Sequence, residues 1–266
     1  MKYNKHLLLL IIFVVEWSLP KGYGQNQPIR DSTSRLDQIV KSGVLRIGAP
    51  GDYAPFAIAR GDSLYGADIK LGRALAAAMG VKPVFIKTSW TKLAADMQNN
   101  DFDIALGGIS ITPERSALAS FSVPYHSGGK TFLCRREDSA RFSNVMNINK
   151  PGVRLIENRG GTNESVARAL LPAATLIVYP DNIGIFNEIV AGRADVMITD
   201  DTEADLKARQ FRQLCRSYPG TITKSDKALW IRTDAALVNF VNNWLKKELA
   251  FGIPQKWLKE AMVPGK

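Results

Sequence analysis

The chain has 266 residues, with 35 Lys and Arg against 25 Asp and Glu, a formal net charge of +10, two cysteines and two histidines. So few Cys and His leave no ligand set for a metal, and a Cys–His or Ser–His–Asp nucleophile is hard to assemble. The basic residues are scattered rather than gathered in an aromatic-interleaved stripe, which argues against nucleic acid as a partner and for attraction of an anionic small molecule.

Lys2, Lys5 and His6 precede the apolar run Leu7–Val15, and Gly22 and Gly24 stand just before Gln25. This layout predicts a secretory signal over residues 1–24, with an apolar run too short to span a bilayer. No Cys lies near the cleavage point, so no lipid anchor is expected, and a periplasmic, soluble mature chain follows. Its surplus is +8 once Lys2, Lys5, Lys21 and Glu16 are removed. In an oxidising compartment the even pair Cys134 and Cys215 is expected to form a disulfide.

Ser34–Ser42 reads as a helix leading into a strand at Val44–Gly48, followed by a turn-rich loop, "GDYAPFA". "GADIKLGRALAAAMG" is an amphipathic helix that ends on Gly80. Strand "KPVFIKT", helix "WTKLAADMQNND" and strand "FDIALGGI" complete the first half. The pattern then restarts: strand "GVRLIEN", helix "TNESVARALL", strand "ATLIVY", helix "NIGIFNEIVAG", strand "ADVMITD". After "KALWIRTD" comes a helical region at Ala236–Met262. Alternating strands and helices predict an α/β protein of two lobes, each a mostly parallel sheet flanked by helices, with a ligand cleft at the strand carboxyl ends. The expected divisions are 25–133 for the first lobe, 134–221 for the second and 222–266 for the return to the first.

"GDYAPFA", "GADIKLGRAL", "DFDIALGGISITPERSALASFSVPY", "GGTNE" and "AGRADVMITD" resemble the type II periplasmic solute-binding proteins of the amino-acid-binding class. "SRLDQIVKSGVLRIG", "TSW", "PGVRLIENRGGTNE", "PDNIGIFNEIVAGRADVMITDDTEA" and "QLCRSYP" are more narrowly similar to the cyclohexadienyl dehydratases, enzymes built on that scaffold. The resemblance implies conversion of prephenate to phenylpyruvate and of L-arogenate to L-phenylalanine, with no cofactor. It implies Glu203 as general acid, with Trp90 and Asn163 at the active site, and it also pairs Cys134 with Cys215.

The residues carry their own reading beside this. "ADVMITDDTEADL" runs from an apolar strand into Asp200, Asp201, Glu203 and Asp205. Acids suit a helix start, and crowding of carboxylates in a closed cleft also favours a neutral Glu203, the form a proton donor needs. Arg115, behind Thr112 and Pro113 at a helix start, offers a fork for a carboxylate. Asn163 and Thr162 lie where a strand turns into a helix and can meet anionic oxygen. Lys130 adds positive charge, Trp90 and Tyr53 supply ring surface, and Ser110 and Asp200 complete the candidate binding set. His126 is expected at a boundary rather than in catalysis. The competing function is a non-catalytic amino-acid-binding protein serving an ABC permease, which needs Arg115 and a cleft acid but no proton donor.

Overall fold

The computed structural model describes residues 33–263, so the predicted signal segment and its cleavage point lie outside the described residues. Among these residues no helix is long and apolar enough to cross a membrane.

Ser34 opens the first helix, Arg35–Ser42, by a reciprocal cap in which its Oγ accepts the Asp37 N–H and the Asp37 carboxylate accepts the Ser34 N–H. Strand Val44–Ala49 follows, flanked in parallel by Lys82–Lys87 and Ile104–Ala105. Trp230–Ile231 pairs antiparallel with Ile104–Ala105, and Ser120–Phe121 closes this five-stranded sheet. The second sheet repeats the plan. Arg154–Asn158 lies between Thr175–Tyr179 and Val196–Asp200, all parallel, and Lys130–Arg135 and Leu214–Arg216 add antiparallel strands. This is the two-lobed type II binding-protein architecture.

The likeness of the halves extends to side chains. The Arg46 backbone N–H reaches Asp103 Oδ2 at 2.9 Å while its guanidinium reaches Oδ1 at 2.9 Å. Arg154 grips Asp195 in the same way, at 2.9 Å and 2.6 Å. Arg46 thus ties strand Val44–Ala49 to the start of Ile104–Ala105, and Arg154 ties strand Arg154–Asn158 to the start of Val196–Asp200. Leu45, Ile47, Leu71, Leu75 and Ile104 are buried in one core, and Phe132, Leu155, Val196 and Ile198 in another. Strands covered on both faces by helices carry such continuous apolar runs.

The chain leaves the first sheet through His126–Gly128 and returns through Ser225–Lys227, and these two crossings pair antiparallel, His126 opposite Lys227. Lys227 also bridges to Ser110.

Three expectations need correction. "GDYAPFA" is not a simple loop: Asp52–Tyr53 and Ala57–Arg60 are strands of a small sheet with Ser63–Tyr65. The helical region at 236–262 is two helices, Ala235–Ala250 and Ile253–Ala261, because Gly252 adopts φ 66° and Pro254 starts the second. Lys130–Arg135 lies wholly in the second sheet, so the division expected at 133/134 falls inside a strand. Cys134 and Cys215 stand directly opposite on adjacent strands, and in this structure both are buried thiols. Burial pushes the Cys134 thiol up to about 12, which suppresses the thiolate that oxidation requires.

Candidate active site

A small cavity of about 20 Å³ lies at the carboxyl ends of the strands. Its wall combines Tyr53, Trp90, Ser110 and Arg115 with Lys130, Asn163, Asp200 and Lys227. Asp200 is the electrostatic centre. It ends strand Val196–Asp200 and begins helix Asp201–Gln210, but its side chain makes no cap and turns inward instead. Its Oδ2 accepts from Lys227 Nζ at 2.7 Å, from Lys130 Nζ at 3.0 Å and from the Tyr53 hydroxyl. Burial alone would raise the Asp200 carboxyl, but the two ammonium groups hold it well below the ordinary range. Its Oδ1 is buried without a hydrogen-bond partner among the described residues.

Lys227 also donates to Ser110 Oγ at 2.8 Å, and burial pushes its ammonium down to about 8. Lys130 donates to Asn163 Oδ1 at 2.5 Å. Arg115 sits in the short helix Pro113–Ser116, where Thr112 Oγ1 accepts its backbone N–H and Pro113 fills the first position. Its guanidinium donates to the Ser110 carbonyl at 3.1 Å and lies 5.8 Å from the Trp90 ring centre. No carboxylate of the described residues lies within ion-pair distance of Arg115, and burial lowers its guanidinium only to about 10, so it stays charged. Trp90 is fixed by donation from its indole N–H to Asp52 Oδ1 at 2.8 Å.

Glu203 is fully buried in the first turn of helix Asp201–Gln210 and is not itself part of the cavity wall. Its Oε1 accepts from Asn182 Nδ2 at 2.7 Å, and Thr199 Oγ1 lies 2.5 Å from Oε2. Burial pushes the carboxyl up to about 7; Lys207 and the hydrogen bonds from Thr199 and Asn182 oppose the rise, and Asp200 adds to it. Glu203 is thus brought toward the neutral range in which a general acid can hold a proton to give.

Eight of the nine candidate residues read from the sequence meet at this wall: Tyr53, Trp90, Ser110, Arg115, Lys130, Thr162, Asn163 and Asp200. Glu203 touches the wall through Asn182. Asp201 departs from its expected role, because its Oδ1 accepts the Thr202 N–H and lies near Gly128, and burial replaces it as the main influence on Glu203. Asp205 is partly exposed and pairs with Arg216, and His126 lies outside the wall against Thr202. Asn158, Asn182 and Lys227 are wall residues that sequence reasoning missed. Lys227 could have been found only by seeing that the two chain crossings pair. Among the described residues no cluster of His, Cys, Asp and Glu could hold a metal ion.

Residues 45–260 match the family of bacterial extracellular solute-binding proteins, family 3. The chain is 44% identical over 214 residues to a cyclohexadienyl dehydratase of Pseudomonas aeruginosa, covering 80% of each chain. An ancestral amino-acid-binding protein, described as a precursor of cyclohexadienyl dehydratase, is 35% identical with a TM-score of 0.79, over 86% of this chain and 100% of that one. An ancestral cyclohexadienyl dehydratase is 42% identical with a TM-score of 0.52, over 86% of this chain and 98% of that one.

Proposed function

The chain belongs to the bacterial extracellular solute-binding proteins of family 3, and we propose that it is a cyclohexadienyl dehydratase acting on prephenate and L-arogenate. The observation that carries this reading is a protonatable, buried Glu203 beside a cavity whose wall holds Arg115, Lys130 and Lys227 against Asp200 alone. An amino-acid zwitterion needs one positive and one negative contact. Prephenate, with two carboxylates, balances a surplus of two positive charges. L-Arogenate adds an ammonium group, for which Asp200 Oδ1 is a free acceptor.

In this reading Arg115 grips one substrate carboxylate and Lys130 and Asn163 meet the other. Tyr53 and Trp90 cover the ring. Glu203 gives its proton to the ring hydroxyl oxygen, the C–O electron pair leaves with water, and the pair of the C–carboxylate bond enters the ring as CO2 departs. Glu203 is left as a carboxylate and regains its proton from solvent. Aromatisation drives the step, and the positioned acid contributes roughly 10²- to 10⁴-fold. The protein works in the periplasm, where Cys134 and Cys215 are oxidised to a disulfide during export.

The second reading is an amino-acid-binding protein for an ABC permease, favoured by the likeness to the ancestral binding protein. One experiment separates the two: purified protein is incubated with prephenate and phenylpyruvate is followed. Turnover supports the dehydratase. Tight binding of an amino acid without turnover supports the receptor.

A further inference from the structure

Asn182 lies in the segment between strand Thr175–Tyr179 and helix Ile185–Val190, is 2% exposed and forms part of the cavity wall. Its Nδ2 donates to two acceptors, Glu203 Oε1 at 2.7 Å and, at 3.3 Å, the backbone carbonyl of Asp52 from the other lobe. Those contacts fix which way the amide faces, since a flipped group would set its oxygen against the Asp52 carbonyl oxygen. Its Oδ1 is then left buried with no hydrogen-bond partner among the described residues, an arrangement that costs free energy unless a ligand supplies a donor.

Substrate offers one uncharged donor, the ring hydroxyl. We propose that Asn182 is the positioning residue of the reaction, holding Glu203 through Nδ2 and receiving the departing hydroxyl on Oδ1. The two ends of one amide are adjacent, so a hydroxyl bound at Oδ1 lies beside the Glu203 carboxyl. Its hydrogen is engaged by Asn182, and an oxygen lone pair is left for the Glu203 proton. That transfer breaks the C–O bond with loss of water, as above. The Asp52 contact supplies a second consequence: the amide is oriented only when the two lobes are together, so the acid is aligned over a closed cavity.

This inference rests on the dehydratase reading, and the test keeps the two apart. The charged and titratable groups facing Glu203 are Lys207 on its own helix, Asp200 at the end of the adjoining strand, Glu157 on strand Arg154–Asn158 and Tyr53 from the other lobe. None is altered in Asn182→Ser or Asn182→Ala. Both variants and Glu203→Gln are assayed with prephenate across pH, with phenylpyruvate binding by calorimetry confirming a folded cavity. Loss of a donor to the carboxylate disfavours its charged form, so the alkaline limb of kcat should move to higher pH, with kcat reduced about 10-fold or more and KM changed less. An inactive Glu203→Gln beside Asn182 variants with wild-type kcat and an unmoved limb overturns this inference alone. An active Glu203→Gln overturns the acid role and the inference together. Asn182 variants that no longer bind phenylpyruvate also overturn it, because the residue is then part of the scaffold.

Discussion

Lys227 Nζ lies 2.7 Å from Asp200 Oδ2, joining a chain crossing to the central strand of the second sheet across the cavity wall. Both side chains are almost fully buried, at 2% and 3% exposure. Lys130 shares the same carboxylate oxygen, so Asp200 carries two ammonium partners and the wall keeps its positive surplus. A dianionic ligand is therefore drawn to a site whose only carboxylate is already neutralised.

Lys227→Met should expose that dependence. The wall falls to a surplus of one, and the Asp200 carboxyl rises from its depressed position because one of its two counter-charges is gone. KM for prephenate should increase by roughly 10-fold or more, about 1.4 kcal/mol, with a smaller change in kcat. Steady-state kinetics decides this. An unchanged KM would mean that the carboxylates are held by Arg115 and Lys130 alone.

Arg115→Lys keeps the charge and loses the fork. The Ser110 carbonyl and the Trp90 ring hold the guanidinium where no carboxylate of the described residues meets it, which leaves its remaining donors for a ligand. Binding of prephenate or phenylpyruvate should weaken by about 1–3 kcal/mol. Calorimetry measures it, and equal affinity would place the carboxylate elsewhere.

Much of this site is legible in local sequence, for reasons that differ by residue. Thr112 and Pro113 announce the helix start that presents Arg115, and "VMITD" announces a strand whose end delivers Asp200. Lys227 is not legible in this way. It precedes an apolar strand and reads as a flanking surface lysine, and its burial comes from the pairing of two crossings about a hundred residues apart. Asn182 reads only as the first residue of the predicted helix "NIGIFNEIVAG", since its contacts to Asp52 and Glu203 exist only in the folded chain. The acidic cluster was legible as a helix start, but side-chain direction was not. Asp201 faces Gly128, so burial rather than repulsion from Asp201 dominates the Glu203 proton.

Cys134 and Cys215 face one another in register on neighbouring antiparallel strands. Protein recovered from the periplasm should contain no titratable thiol when denatured without reductant. Protein folded under reducing conditions should show two thiols that oxidise slowly, because the buried Cys134 is held as the thiol. Closing this loop should stabilise the exported form by up to about 4–5 kcal/mol in the chain-entropy treatment. Two free thiols in the periplasmic preparation would show that the pair serves only as core packing.

Glu203→Gln separates chemistry from binding and also reports on stability. The amide keeps the shape and hydrogen-bonding capacity of the acid but has no proton to give a departing hydroxyl, so kcat should fall about 10²-fold or more while substrate still binds. In the wild type the rate should decline as pH rises through about 7, the value to which burial pushes Glu203, and that limb should vanish in the variant. The same shift fixes the sign of a stability effect. The unfolded chain loses this proton near the ordinary value of 4.5 and the folded chain near 7, so stability falls as pH rises between them and the cost is complete above 7. Gln carries no such cost. The variant should therefore gain about 1–3 kcal/mol over the wild type at pH 8 and nothing at pH 4. Denaturant unfolding at the two pH values measures the difference. A variant no more stable than the wild type at pH 8, and still turning over prephenate, would make Glu203 an ordinary helix-start acid.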